Sequence, residues 1–191
     1  MKQAKTLTSV EIRRVLDYVA TSKQAARNRA ILLMGHLSGM RVGEIAALKM
    51  GDVIGLDGNI KTEIHLQPNQ TKGSVGRTVV VSEKLQRELT AYVKTLVQTD
   101  KNAAFFGTQK QPARGFTANT LAQHLMYIYR RAGIEGASSH SMRRTYITNM
   151  AAKGVSVRVL MSLAGHKNIS TTQAYIDVND DMKRKAVELA Y

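Results

Sequence analysis

The sequence predicts a mainly helical α+β domain carrying a small antiparallel sheet of about three strands on one edge. Three observations lead there. Apolar residues recur at helical spacing along most of the chain, usually between a capping residue and a glycine stop. Only one stretch, 60–66, alternates apolar and polar residues, and a β-branched run follows it at 77–81. Two prolines in 191 residues, with no repeat or low-complexity tract, argue for one compact unit. At 43% hydrophobic the chain can bury roughly 70% of its unfolded surface without staples.

The elements follow in order. Thr8-Ser9-Val10-Glu11 has the form of a capping box, with Ile12, Val15, Leu16 and Val19 spaced behind it, so a helix is expected over about 9–21. A second helix is expected over 24–37, with Ala30, Leu33, Met34 and Leu37 inward and Gly39 in the left-handed conformation that ends it. A short third helix, 42–48, follows, then a turn-rich stretch to residue 59. In 60–66, Ile60, Thr62, Ile64 and Leu66 share one face of a strand; 68–76 is a loop and 77–81 the returning strand of a hairpin. Ser82-Glu83 opens a helix to about 97, and Ala104-Phe105-Phe106 is a short third strand. Further helices are expected over 117–131, 141–153, 155–163, 170–176 and 180–190, with Gly133, Gly154 and Gly165 as stops.

The formal charge is +14, and it is unevenly placed. Residues 101–176 hold ten Lys and Arg against one acid, Glu135, which is nine of the fourteen excess positive charges. A one-signed field of that kind points to a polyanionic partner, DNA or RNA. No run approaches the ~20 apolar residues needed to cross a bilayer, and no signal-like start precedes Thr8. No membrane partner is expected, and the expected location is cytoplasmic, with the nucleoid. The lack of any cysteine removes disulfide frameworks, thiolate metal sites and cysteine nucleophiles.

Familiar catalytic signatures are missing. The five histidines form no His-x-x-x-His pair, and the chain has no Gly-x-Ser-x-Gly elbow and no Gly-rich phosphate loop. No metal and no cofactor are expected. Chemistry on phosphate would then rest on arginine, histidine and lysine, whose fixed positive donors match the charge spread over non-bridging oxygens. Arg41 stands out in Gly39-Met40-Arg41-Val42-Gly43-Glu44, at the start of a short helix. His140 and Arg143 are three apart at another helix start, which turns both toward one patch. His166 follows a helix end, and Tyr175 comes nine residues later. Tyr127, Tyr129 and Tyr146 read as core or groove residues, and Glu44 as a partner that orients Arg41.

Five motifs in order resemble those of the tyrosine recombinases, the phage-integrase family: Gly39-Met40-Arg41-Val42-Gly43-Glu44-Ile45, Thr71-Lys72-Gly73, His140-x-x-Arg143, Leu163-Ala164-Gly165-His166 and Thr171-Thr172-Gln173-Ala174-Tyr175. The resemblance runs from Thr6 to about Val178 and implies the family's catalytic-domain fold. It implies site-specific cutting and rejoining of double-stranded DNA through a 3′-phosphotyrosyl link, without metal or ATP. Arg41 and Arg143 would bind the scissile phosphate, His140 would assist with protons, and His166 would hydrogen-bond the phosphate. Lys72 would be the general acid for the leaving 5′-hydroxyl, and Tyr175 the nucleophile. Arg114, Arg130, Arg131, Arg144, Arg158 and Lys167 are expected to contact DNA. The alternatives are a type IB topoisomerase and a DNA-binding accessory protein without catalysis.

Departures from the family pattern are mild. Met142 and Arg144 stand where the family often has Leu and His, Ala164 replaces a more usual Leu or Met, and Ile176 replaces Thr or Ser. Only about seven residues precede the first helix, where typical members carry a core-binding domain. The expectation is therefore a single catalytic domain over 1–191 without that domain, either excised or a short form like the recombinases that invert fimbrial promoters. Residues 1–7 would be an N-terminal extension and 178–191 a tail helix exchanged between protomers. A tetramer on two DNA sites, and a monomer or weak oligomer without DNA, complete what the resemblance implies.

Overall fold

The capping box is formed as expected: Thr8 Oγ1 accepts from Glu11 N at 3.2 Å while Glu11 Oε2 accepts from Thr8 N at 2.9 Å, opening α1 (Ser9–Ala20). The structure, a computed structural model, describes residues 4–97, 100–109, 113–176 and 180–188. α1 turns Val15 and Val19 into the core. Behind it, α2 (Ala25–Ser38) is buried on almost every face, from Ala30 through Gly35 without a break, as a helix with no polar side must be. It is the central rod, packed by α1, by α5 (Glu83–Val93) and by α7 (Ser141–Ala152).

α2 stops at Gly39, whose φ of +64° is left-handed. A side chain there would be strained, and its Cβ would lie 2.5 Å from Cδ1 of Tyr146. That close approach fixes the end of α2 against α7 and sets Arg41 beside Arg143 in the fold. α3 (Val42–Ala46) is shorter than the 42–48 expected, because Leu48 and Lys49 leave the helix for the 103–105 segment: Leu48 O accepts from Phe105 N at 2.8 Å, and Lys49 bridges Ala104. A short helix the sequence reading missed, α4 (Met50–Val53), follows.

β1 (Glu63–Leu66) and β2 (Arg77–Val80) form the expected antiparallel hairpin, with Glu63 opposite Val80, Ile64 opposite Val79, His65 opposite Thr78 and Leu66 opposite Arg77. Ile64, Leu66 and Val79 face inward, as alternation requires. The third strand does not form: among the described residues the sheet has two strands, and Ala104 makes only an isolated bridge. Phe105 and Phe106 are both buried, 4.8 Å apart by ring centroids, and each lies 5.5 Å from the ring of Tyr92. Packing both rings inward is incompatible with the one-in, one-out pattern of a ladder.

Thr117 caps α6 (Ala118–Arg131), which buries Leu121, Leu125, Ile128 and Tyr129 and packs on α3 and α1. Tyr127 departs from expectation, lying 57% exposed on the opposite face. After α7 come α8 (Val157–Ala164), α9 (Ile169–Gln173) and α10 (Asp180–Glu188). The segment before α1 is part of the packing: Leu7 is 2% exposed, and its N–H donates to Thr145 Oγ1 of α7 at 2.9 Å. In the helix expected over 180–190, Ala186 is exposed, and residues 189–190 lie outside the described residues. Among the described residues no helix is long and apolar enough to cross a membrane.

Candidate active site

Three arginines converge on the C-terminal end of α8, where the last carbonyls of any helix lack intrahelical partners. The carbonyls of Leu163, Ala164 and Gly165 accept in succession from Arg77 Nη1 at 3.0 Å, Arg143 Nη2 at 2.6 Å and Arg41 Nη2 at 3.1 Å. The negative end of the helix dipole favours cations there. Gly165 makes the arrangement possible: its φ is +62°, and a Cβ on it would lie 2.5 Å from Cδ of Arg77.

A buried carboxylate completes the clamp. Glu44 is 1% exposed and binds two of the three guanidiniums: Arg41 Nη1 donates to Oε1 at 2.9 Å, and Arg77 donates through Nε to Oε1 at 3.1 Å and through Nη2 to Oε2 at 2.7 Å. Burial alone would raise the Glu44 carboxyl. The hydrogen bonds and charge of Arg77, with those of Arg41, hold it below the usual range instead. Glu44 therefore orients Arg41, as the sequence suggested. Arg143 is 4% exposed, and its Nη1 donates to Gly39 O at 2.7 Å, tying the end of α2 to the end of α8. Burial and then the neighbouring Arg41 push its pKa down to about 10, which leaves it protonated at neutral pH. Each guanidinium has five N–H bonds, so Arg41 and Arg143 keep donors for an anion after these contacts. Three arginines against one carboxylate leave the cluster positively charged.

His166 follows Gly165 and is buried. Its Nδ1 is 2.8 Å from Oγ1 of Thr172, itself fully buried on α9. With the hydroxyl donating, Nε2 carries the ring proton and is the donor left for a ligand. Burial, with repulsion from Arg143, Arg41 and Arg77, lowers the His166 pKa to about 4, so the ring is neutral at pH 7. The Tyr175 ring stacks on it, 5.7 Å between centroids at 18°. Tyr175 also lines an open cleft of about 360 Å³ with His140, Arg144, Ser138, Thr171 and Ala174.

The structure thus brings Arg41, Arg143, His166 and Tyr175 together and sets His140 on the rim of the same cleft as the N-cap of α7, exposed. Lys72 sits apart on the exposed hairpin tip, which leans toward His166's neighbour Lys167: a Cβ on Gly73 would lie 3.6 Å from Lys167 Nζ. Arg114, Arg130, Arg131, Arg158 and Lys167 are exposed, and Arg144 is half-buried. Arg77 and Thr172 are the contributors that sequence reasoning missed. Arg77 carried a signal, since alternation places it with Val79 and Val81 on the inward face of its strand. Thr172 carried none beyond its place in a motif. Among the described residues no three His, Cys, Asp or Glu side chains gather as a metal site would need.

Buried neutral histidines make stability depend on pH. His36 also falls to about 4 through burial, and its Nδ1 has no hydrogen-bond partner. An unfolded imidazole titrates near 6.5, so below that pH the unfolded chain takes up protons that the folded chain refuses. Stability is therefore full above pH 6.5 and falls as the pH drops toward 4, a window largely above that of the carboxylates. Thermal midpoints should be flat from pH 7.5 to 6.5 and decline steadily to 4.5. A flat profile down to 4.5 would show that these rings are not held neutral.

Comparison with known proteins agrees with this geometry. Residues 5–182 match the model of the phage integrase family. The tyrosine recombinase XerA of Pyrococcus furiosus is 28% identical over 186 residues, which is 97% of this chain and 62% of that protein. The chain thus spans less than two thirds of that relative's length. A crystal structure of XerA recombinase superposes with a TM-score of 0.76 at 24% identity, over 99% of this chain and 66% of that one. The Tn1549 transposon integrase, solved in complex with transposon right end DNA, gives a TM-score of 0.75 at 18% identity over 100% of this chain and 67% of that one. These structures share the fold: a mainly helical domain with a small antiparallel sheet. With the five motifs in order and the arginine cluster assembled, the chain belongs to the phage integrase family.

Proposed function

We propose that the chain is the catalytic part of a tyrosine recombinase, which cuts and rejoins double-stranded DNA at specific sites through a 3′-phosphotyrosyl intermediate. One observation carries the reading: two arginines bound to the carbonyls that end α8 gather beside a neutral buried histidine and the tyrosine stacked on it. Relatives named recombinase and integrase, one of them solved with DNA, support it.

The Tyr175 oxygen attacks the scissile phosphorus, forming the P–O bond to tyrosine and breaking the bond to the 5′-oxygen. The phenol loses its proton, and the leaving 5′-oxygen takes one. Arg41 and Arg143 hold the non-bridging oxygens as charge builds on them, and His166 adds a hydrogen bond from Nε2. His140 assists proton movement at the cleft rim, and Lys72 on the hairpin tip protonates the 5′-oxygen. Attack by a partner strand's 5′-hydroxyl reverses the step, so rejoining needs no ATP. Arg114, Arg130, Arg131, Arg158 and Lys167 contribute backbone contacts. Residues 1–191 act as one catalytic domain, assembling as a tetramer on two sites with 178–191 exchanged between protomers.

The test is incubation with a pool of nicked suicide DNA substrates, followed by sequencing of trapped ends. The expected product is an SDS-stable, protease-sensitive adduct at a 3′ phosphate, confined to a narrow set of sequences. Relaxation of supercoils without sequence preference would point to a topoisomerase instead. Binding without any adduct would point to an accessory protein.

A further inference from the structure

Arg144 is set apart from the other expected DNA contacts by where its guanidinium lies. It is half-buried, its Cζ lies 5.5 Å from the centroid of the Tyr175 ring, and its Nε donates to Thr6 Oγ1 at 3.2 Å. Thr6 sits on the segment before α1, anchored next door by buried Leu7, whose N–H is held by Thr145 of α7. Thr145 follows Arg144 in sequence, so one stretch of α7 holds the entering chain at two successive residues. The groups facing Tyr175 come from two directions: Arg144 and His140 from α7, with Arg143 close enough to act through its charge, and His166 from the loop after α8.

Accepting the cleavage reading above, on which this inference rests, we propose that Arg144 is a positioning residue for the nucleophile Tyr175, itself held in place by Thr6. A guanidinium within about 6 Å of an aromatic face is attracted to it, more so when water is excluded. The attraction grows when the phenol gives up its proton, because negative charge then spreads into the ring. Arg144 thus favours the attacking form over the resting one, which is the condition for a contact to raise a rate. Its anchor on Thr6 ties the ring's orientation to the segment that enters the domain.

The experiment compares wild type, Arg144→Met, Arg144→Lys and Thr6→Val. It measures single-turnover adduct formation on saturating suicide DNA from pH 6 to 9, DNA affinity at several salt concentrations, and thermal midpoints. Arg144→Met should slow adduct formation about tenfold at saturation, the size of effect open to a contact of this kind. The rising limb of its pH–rate profile should move to higher pH, with affinity changed less than about threefold. Arg144→Lys should recover part of the rate, since it keeps the charge. Thr6→Val should slow the reaction in the same sense by less. If the lysine variant alone folds, partial loss with the same upward pH shift supports the proposal.

The proposal is overturned if Arg144→Met reacts at the wild-type rate once DNA saturates while its salt slope drops by about one. That pattern belongs to a phosphate-backbone contact. An unshifted pH profile overturns it as well. The wild-type arm separates this inference from its foundation: no wild-type adduct on any substrate would defeat the cleavage reading itself.

Discussion

Arg143→Ala should lower the rate of adduct formation by a factor of about 10²–10³ at saturating DNA, the typical loss when one fixed donor to developing charge is removed. It should also cost stability, which Arg41→Ala should do less. Arg143 is buried, and it ties Gly39 O to Ala164 O across the ends of α2 and α8. Removing it strands two carbonyls and opens a gap, for a loss of about 2–3 kcal/mol, or roughly 5–10 °C in Tm. The Arg41 side chain is 27% exposed, and its loss leaves Glu44 paired with Arg77. Arg41→Ala should therefore melt close to wild type while cleaving about 10²-fold more slowly, and it is the cleaner probe of phosphate clamping. Lysine at either position should restore little, because a point charge cannot reproduce a planar fork holding a carbonyl and an oxyanion together. Near wild-type cleavage by Arg41→Ala in single turnover would remove that arginine from the clamp.

The different demands on these two arginines could not be read from the sequence. Both stand in motifs, and motifs carry identity without burial. What sequence could supply was local: the capping box at Thr8, the glycine stops at Gly39 and Gly165, and the core spacing of Leu121, Leu125 and Ile128 all follow from interactions within one or two turns. The succession of Leu163, Ala164 and Gly165 carbonyls facing three arginines depends on how α3, β2 and α7 meet the end of α8, which no periodicity encodes. Arg77 was half legible, since alternation put it inward without naming its partner. The 104–106 segment misled because aromatic, β-favouring residues also suit a buried cluster, and there Tyr92, Phe105 and Phe106 pack face and edge instead of extending the sheet. Arg144 was legible only as one more basic residue on a basic chain, and the place of its guanidinium over the Tyr175 ring depends on the tertiary fold.

Tyr175→Phe should abolish the protein–DNA adduct altogether while leaving DNA affinity within about twofold. The substitution removes one oxygen and keeps the ring, so the stack on His166 and the contact with Arg144 both persist. Backbone anchors hold the residue in place independently of its hydroxyl: Tyr175 N donates to Thr172 O at 3.0 Å, and Tyr175 O accepts from Thr148 Oγ1 at 3.2 Å. A phenol of reference pKa ~10 attacks poorly by itself, and in the proposed mechanism the cations around Tyr175 activate the oxygen that phenylalanine lacks. The loss should therefore be of chemistry without a loss of fold, and Tm should stay within a few degrees of wild type. Wild-type adduct formation should survive EDTA, because guanidinium and imidazole groups supply the charge stabilisation in this reading. An adduct persisting in Tyr175→Phe would move the nucleophile to another tyrosine, with half-buried Tyr146, packed beside Gly39, the first to test by the same substitution.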